Sequence, residues 1–192
     1  MGSLSLFHAD FSGASITCSS HKEQPVGLPA IEITAVDRRP ASPHRALWHG
    51  PWGTLLLVGH ARWLTAAVFQ GPPPGRPGTA HPLPVPWGGR RRLRLALHGT
   101  AFQMQVWRAL AELRAGEPVS YSELATRIGR PGAARAVASA VAANPVPVLL
   151  PCHRVIRRNG QIGQYIGGAS RKRDLLAHER IERSNPHVRE RP

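Results

Sequence analysis

The stretch "SYSELATRIGRPGAARAVASAVAAN", residues 120–144, contains two short helical patterns separated by a tight turn. Ser120 and Glu123 have the Ser-x-x-Glu spacing of a capping box, which marks the start of a helix, and Gly129 marks its end. An Arg-Pro-Gly turn then precedes a second helix. Two short helices joined by a glycine-containing turn predict a helix-turn-helix, with the second helix as the recognition element.

The second helix of this motif consists largely of alanine, with Arg135 as the one long side chain in its middle. Two interpretations are open. Alanine is the best helix former, and a mid-helix arginine usually faces solvent; the pattern alone favours this interpretation. Alternatively, a slim helix can enter a narrow groove that bulky side chains could not. The alanines are Ala133, Ala134, Ala136, Ala138, Ala140, Ala142 and Ala143.

Residues before this motif change from helical to β patterns. The apolar residues of 100–113 recur at helical spacing and predict a helix of about three turns. Residues 90–99 alternate, which predicts a strand, and residues 52–69 read as a hairpin. Residues 70–89 are rich in Pro and Gly and predict a linker. Before residue 45 we expect a poorly ordered leader with one short strand at Ile31 to Val36.

The composition restricts the class of protein. The chain has 25 Lys and Arg against 11 Asp and Glu, a net charge of +14. This charge favours a polyanionic partner, nucleic acid first, although ribosomal, membrane-surface and other soluble proteins share it. No run approaches the ~20 apolar residues of a membrane span, and no signal peptide pattern is present. We therefore expect a soluble protein of the cytoplasm or nucleus. Its two cysteines, Cys18 and Cys152, predict no disulfide framework.

Cys152 lies in "NPVPVLLPCHRVI", residues 144–156, at the end of an apolar run. A buried thiol has a raised pKa and is inert unless its thiolate is stabilised. The apolar residues between Pro147 and Pro151 predict an extended segment that carries Cys152. His153 is adjacent, but neighbours on an extended strand point to opposite faces. Contact between them would need a bend after Pro151 or a bridging water. The pair by itself therefore favours a structural cysteine over a reactive one.

The segment after Cys152 predicts a turn at Asn159-Gly160 and a final helix capped by Ser170. Glu179 on that helix either faces solvent or reaches back to His153 as the third member of a Cys–His–acid relay. Gly167-Gly168 permits the close approach of a backbone or a flat ligand.

Taken together, residues 99–181 resemble the O6-alkylguanine-DNA alkyltransferases, also called methylated-DNA–protein-cysteine methyltransferases, in order and in spacing. The Pro-Cys-His-Arg-Val stretch is the most specific part of the resemblance. The matching residues are Phe102-Gln103, Val106-Trp107, Ser120-Tyr121, Glu123-Leu124-Ala125, Ala133-Ala134-Arg135-Ala136-Val137, Asn144-Pro145, Pro151-Cys152-His153-Arg154-Val155, Tyr165, Gly167-Gly168, Leu175-Leu176 and Glu179.

The resemblance implies an α+β fold, in which a ribonuclease H-like, β-rich domain precedes a winged helix-turn-helix domain that carries the active site. We expect a leader at 1–45, the first domain at 46–98, the second at 99–184 and a tail at 185–192. The Pro/Gly linker stands where the family has a helix and a strand, so the first domain should be reduced. Gln164 stands where the family usually has glycine.

The resemblance also implies roles for individual residues. Cys152 would be the nucleophile, His153 its base through a water, and Glu179 the group that orients His153. Asn144 joins the recognition helix to the active-site segment, and Tyr121 helps to turn the nucleotide out and protonates the leaving guanine. The implied DNA contacts are Arg135, which replaces the extruded nucleotide, with Tyr121, Ala133, Ala134 and Ser120. The implied alkylguanine pocket is Tyr165, Ile166, Gly167 and Val155.

The implied reaction is the irreversible transfer of an alkyl group from O6-alkylguanine, and also O4-alkylthymine, in double-stranded DNA to Cys152. It would consume one monomeric protein molecule per lesion and need no cofactor. Cys18 and His21, with His8 or His49, are too poorly spaced to predict a zinc site. Two alternatives stay open: a lesion-binding protein that transfers nothing, and a winged-helix regulator in which Cys152 is structural.

Overall fold

The structure, a computed structural model, describes residues 30–37, 44–50, 53–60, 63–71 and 92–184. The first half forms one mixed sheet, and the second half is mainly helical, so the fold is α+β. No helix in these ranges is long and apolar enough to cross a membrane.

The sheet has five strands in the order β1-β5-β4-β3-β2. Strands β2, β3 and β4 form an antiparallel meander, whereas β5 runs parallel to both β1 and β4. The strands are β1 (Ala30–Ala35), β2 (His44–Gly50), β3 (Gly53–His60), β4 (Trp63–Gln70) and β5 (Arg92–Leu97).

The structure confirms the strand expected near Ile31 and the hairpin expected over 52–69, which is β3–β4. The sheet thus includes β1 and the first residues of β2, both from the segment expected to be a leader. Residues 72–89, most of the Pro/Gly linker predicted at 70–89, lie outside the described residues. On β5, Leu93, Leu95 and Leu97 are buried, whereas Arg94 is exposed and pairs with Glu32 at 3.3 Å, as the alternation predicted.

The second half contains four helices within the described ranges. Capping boxes start the first two: Thr100 with Gln103, and Ser120 with Glu123 as predicted. Gly129, at φ +69°, follows the second, also as predicted. The elements are α1 (Ala101–Ala111), β6 (Val119–Ser120), α2 (Tyr121–Arg127), α3 (Ala134–Ala142), β7 (Val155–Ile156) and α4 (Ala169–Ser184); β6 and β7 pair in parallel.

The predicted cap of the final helix is wrong. The Lys172 N–H donates to the Gly168 carbonyl at 3.2 Å, so the helical bonds begin one turn before Lys172. Gly168 therefore takes the capping position, and Ser170 lies inside the first turn. A positive φ of 89° at Gly168, which glycine adopts without strain, directs the chain into the helix.

A continuous hydrophobic core joins the two halves, since buried residues of the sheet and of α1 and α3 belong to one cluster. The indole N–H of Trp107 on α1 donates to the Ala140 carbonyl on α3 at 2.9 Å. The Ala67 N–H on β4 donates to the Pro145 carbonyl at 2.8 Å. The sheet is thereby fixed directly to the chain segment that leads to Cys152.

Candidate active site

The segment that follows α3 is held in a tight turn by Asn144. The Asn144 amide N–H donates to the Leu150 carbonyl at 2.8 Å, and its oxygen accepts from the Val146 N–H at 3.0 Å. Within the turn, Val148 has a φ of +72°, a strained conformation for a β-branched residue. The buried Asn144 amide therefore sets the path of the backbone toward Cys152, and the surrounding packing supports the strain.

Cys152 begins a short 3-10 helix, Cys152–Arg154, so the extended conformation predicted for this segment is wrong. Pro151 has a ψ of 61°, and the Arg154 N–H donates to the Pro151 carbonyl at 3.0 Å. This is the bend after Pro151 that the sequence left open. The free thiol of Cys152 is 3% exposed.

Glu179 of α4 lies against His153, as the relay required. The His153 Nε2 lies 2.7 Å from the Glu179 Oε1, and both side chains are buried. The Nδ1 atom of His153 is also buried, and the described residues offer it no hydrogen-bond partner. The geometry fits an imidazole that donates from Nε2 to the carboxylate and keeps Nδ1 as an acceptor.

Arg154 completes this cluster, although the sequence analysis gave it no role. Its Nε and Nη2 donate to the Glu179 carboxylate at 2.7 to 3.1 Å, and its Nη1 donates to the Leu113 carbonyl. The second Glu179 oxygen accepts from the Gly116 N–H at 3.1 Å. One carboxylate thus ties together α4, the active-site segment and the loop after α1.

The electrostatics of the cluster favour a neutral histidine beside an ionised glutamate. Burial, together with the positive charges of Arg154 and Lys172, lowers the pKa of His153, although the hydrogen bond and charge of Glu179 oppose this effect. Burial alone would raise the pKa of Glu179, but the hydrogen bonds and charges of His153 and Arg154 outweigh it and lower that pKa to about 2. At neutral pH, His153 can therefore accept a proton, and Glu179 can stabilise the resulting cation.

We expect this carboxylate to make the fold sensitive to acid. Because the pKa of Glu179 lies near 2 in the folded chain and near 4.5 when unfolded, its stabilisation is complete above pH 4.5. It is lost as the pH falls toward 2, at a cost of about 3 kcal/mol in the free energy of unfolding. Urea unfolding at pH 6 and at pH 3 should show about 2 kcal/mol of this loss, since pH 3 still lies above the folded pKa; equal free energies at both ends would contradict it.

Cys152 needs help to ionise. Burial raises the pKa of its thiol to about 11, whereas the Asn144 amide and the positive charge of Lys172 act in the opposite direction. Lys172 is 1% exposed, and its Nζ donates to the Val155 carbonyl at 2.6 Å. Lys172 was not among the residues predicted for the site. Its position seven residues before Glu179 could have indicated it, because this spacing places both residues on one face of α4.

Two tyrosines lie near Cys152. Burial, followed by the charge of a Cys152 thiolate, raises the pKa of the Tyr121 hydroxyl, and Arg157 opposes this effect. The same two causes raise the pKa of Tyr165 well above its usual value. The Tyr165 ring stands edge-on to His153, with 6.5 Å between ring centroids. Both hydroxyls are therefore protonated at neutral pH and available as donors.

An open cleft of about 500 Å³ adjoins this site. Of the residues predicted for the alkylguanine pocket, Tyr165 lines the cleft. The Ile166 side chain is 61% exposed, whereas Gly167 and Val155 are buried. The lining residues are Arg157, Gln161, Gly163, Gln164, Tyr165, Gly168 and Ala169.

The residues predicted to contact DNA lie on or beside α2 and α3. Ala133 caps α3, and Ala134 begins it. Arg135 is exposed, but it lies on the first turn and not in the middle of the helix as predicted, because the helix begins only after the Arg-Pro-Gly turn. The Ser120 hydroxyl is buried and accepts from the Glu123 N–H at 3.2 Å, so it caps α2. Tyr121 is the first residue of α2.

Of the candidate zinc ligands, His49 lies within the described residues. Cys18, His21 and His8 lie outside the described residues. The His49 Nδ1 on β2 is 2.9 Å from the Thr54 hydroxyl. Within the described ranges, no group of three or more His, Cys, Asp or Glu could hold a metal ion.

Comparison with known proteins identifies relatives of both halves. Residues 101–181 match the family model described as "6-O-methylguanine DNA methyltransferase, DNA binding domain". A methylated-DNA–protein-cysteine methyltransferase of Salmonella typhimurium is 52% identical over 87 residues, 45% of this chain. The chain spans about half, 51%, of that relative's length.

Mycobacterial relatives match over a longer range. The methylated-DNA–protein-cysteine methyltransferase of Mycobacterium bovis is 40% identical over 145 residues, 68% of this chain and 88% of that protein. The crystal structure of Mycobacterium tuberculosis OGT in complex with DNA is similar at a TM-score of 0.60 and 37% identity, covering 71% of this chain and 93% of that one. The chain described here therefore belongs to the methylated-DNA–protein-cysteine methyltransferase family.

Proposed function

We propose that this protein repairs DNA by transferring a methyl or larger alkyl group from O6-alkylguanine irreversibly to its own Cys152. The observation that carries the proposal is the buried arrangement of Cys152, His153 and Glu179, with a 2.7 Å contact between the last two. A structural cysteine would need no such histidine and no buried carboxylate. The mycobacterial relative solved in complex with DNA supports DNA as the partner.

The chemistry follows from the protonation states of the site. His153, neutral at neutral pH, accepts the Cys152 proton at Nδ1 through a water, and Glu179 stabilises the imidazolium. The thiolate attacks the alkyl carbon in line; a sulfur–carbon bond forms, and the carbon–oxygen bond breaks.

The electron pair of the broken bond goes to guanine, and Tyr121 donates a proton to the base as it leaves. The proton that His153 took from Cys152 then passes through solvent to Tyr121, so both His153 and Tyr121 return to their starting protonation states. The product thioether is stable to hydrolysis, so no second step regenerates the thiol, and each molecule acts once.

Residues 99–184 are proposed to form a winged helix-turn-helix domain. The support is the pair α2 and α3 joined by a short turn, beside the paired strands β6 and β7. The turn after β7 closes through the Arg157 N–H, which donates to the Gln161 carbonyl at 2.9 Å, and would be the wing. The five-stranded sheet of the first half would be the ribonuclease H-like domain.

In this proposal, α3 enters a groove of duplex DNA, and Arg135 fills the place of the extruded nucleotide. The exposed position of Arg135 among alanines supports this role. Extrusion costs a few kcal/mol, and less for a weakly paired damaged base, which favours the lesion.

Transfer is tested by incubating the full chain with a duplex that contains O6-methylguanine, followed by mass spectrometry of the Cys152 peptide. One methyl group per chain on Cys152 is the expected result. Tight binding of the lesion without a mass change would favour a non-catalytic lesion-binding protein. Equal binding to damaged and undamaged duplex, again without transfer, would favour a regulator with a structural cysteine.

We expect Arg135→Ala to separate extrusion from chemistry. Because Arg135 is exposed and distant in sequence from Cys152, its loss should slow transfer from duplex DNA by roughly 10- to 100-fold, an extrusion cost of a few kcal/mol. Transfer from a free O6-alkylguanine base should be unchanged. Single-turnover rates with the two substrates measure the difference, with Arg108→Ala, another exposed helical arginine, as the matched control. An equal loss with both substrates would contradict the extrusion role.

A further inference from the structure

The loop from Tyr165 to Gly168 rests directly on the sheet of the first half. Gly167 lies so close to Phe69, on β4, that a Cβ added at Gly167 would be 2.6 Å from the Phe69 Cε2 atom. The same Cβ would be 2.9 Å from the Arg171 Cδ. Only glycine fits at this contact, so the backbone of the loop packs directly against the Phe69 ring of β4.

Arg171, on the first turn of α4, links this helix to the Tyr165–Gly168 loop and to the end of β4. Its Nη1 donates to the Gly167 carbonyl at 3.1 Å, and its Nη2 donates to the Gly71 carbonyl, just after β4, at 2.8 Å. Its guanidinium carbon lies 4.4 Å from the centre of the Phe69 ring, a cation–π distance. The Arg171 side chain is 3% exposed, so these contacts occur in a largely water-excluded environment.

The contacts continue from Phe69 to the catalytic histidine. The Phe69 ring is edge-on to Tyr165, with 5.9 Å between centroids, and Tyr165 is edge-on to His153 at 6.5 Å. Tyr165 is thus fixed between a ring of the first half and a ring of the active site. A shift of Phe69 would displace Tyr165 relative to His153 and to the cleft that Tyr165 lines.

From these contacts we infer that Phe69 and Arg171 are positioning residues for alkyl transfer, and that they clamp the Tyr165–Gly168 loop between β4 and α4. The inference rests on the proposed function and extends it, because it makes the sheet of the first half part of the transfer apparatus. Neither residue touches the reacting atoms. Instead, the clamp formed by Phe69 and Arg171 holds Tyr165 and the backbone of its loop in the geometry that transfer requires. A misplacement of about 1 Å can reduce the rate 100-fold.

The test compares Phe69→Leu and Arg171→Met with Leu95→Val, a matched control at a buried position on β5. We expect both clamp variants to transfer the methyl group roughly 10- to 100-fold more slowly at saturating duplex. The duplex concentration that gives half-saturation should not change, and Arg171→Lys, which keeps the charge, should recover part of the rate. Wild-type rates in both clamp variants, or the same loss in Leu95→Val, would overturn the inference.

A double variant sharpens the test. Gly167→Ala should slow transfer because its added methyl meets the Phe69 ring. Combined with Phe69→Leu, the loss of rate should be smaller than the product of the two single losses, because both changes displace the same loop. A loss equal to that product would count against the clamp.

A second readout does not depend on transfer. The His153 ring-proton NMR shifts, which sense the Tyr165 ring, should move in Phe69→Leu and Arg171→Met but not in Leu95→Val. A wild-type chain that transfers no methyl group would refute the proposed function alone. Unmoved His153 shifts in both clamp variants would refute the clamp alone.

Discussion

Cys152→Ala should take up no methyl group from a duplex that contains O6-methylguanine, while its affinity for that duplex stays within about twofold of wild type. The thiol is the only atom that can form the product bond in the proposed reaction. The side chain is buried at the end of the turn held by Asn144, whereas Arg135 is exposed on α3, so the loss of the thiol should leave the proposed DNA contacts in place. Intact-mass measurement after incubation, together with a binding titration, checks both parts.

Cys18→Ala is the matched control, because it removes the other of the chain's two cysteines. Its rate of transfer should equal that of the unchanged chain. Methylation of the Cys152→Ala variant, at Cys18 or elsewhere, would show that Cys152 is not the acceptor. If the Cys152→Ala variant unfolds and for that reason loses its affinity for the duplex, Cys152 is a structural cysteine instead.

Glu179→Gln should lower the free energy of unfolding by about 3 to 5 kcal/mol. The substitution keeps the shape of the side chain but removes the charge that Arg154 contacts with two nitrogen atoms. Arg154 would then be a buried cation without a counterion, and its desolvation would no longer be offset. The neutral amide would also fail to stabilise a His153 cation, so transfer should slow beyond what the loss of stability explains. Urea unfolding and single-turnover transfer rates measure the two effects.

Two further variants test whether the loss of stability comes from the buried Arg154–Glu179 pair. Arg154→Met combined with Glu179→Gln should be less destabilised than the sum of the two single variants, since the double change removes both charges. Glu112→Gln, at an exposed position after α1, should change the free energy of unfolding by less than about 0.5 kcal/mol. A loss in Glu179→Gln as small as that of the control would show that the buried pair does not stabilise the fold.

The helices and strands were largely predictable because their signals are local. A capping box is complete within four residues, and the alternation in β5 needs only six. The wrong predictions also concerned local structure. Ser170 has a side chain that can cap a helix, but the N-terminal cap of α4 is Gly168, two residues earlier. At Cys152, the apolar residues and prolines suggested an extended chain, and one ψ angle at Pro151 produced a turn.

By itself, the sequence determined the helix-turn-helix pattern, the strand alternation and the order of motifs that marks the family, because periodicity, caps and motif spacing are properties of neighbouring residues. Tertiary structure alone decided which groups meet. His153 and Glu179 are 26 positions apart, and Arg171 and Gly71 are 100 apart. Nothing local indicates that Arg154 pairs with Glu179 or that the Phe69 ring lies against Tyr165. Burial raises the pKa of Cys152 and lowers the pKa of His153 and of Lys172, and burial depends on how the sheet and the helices pack.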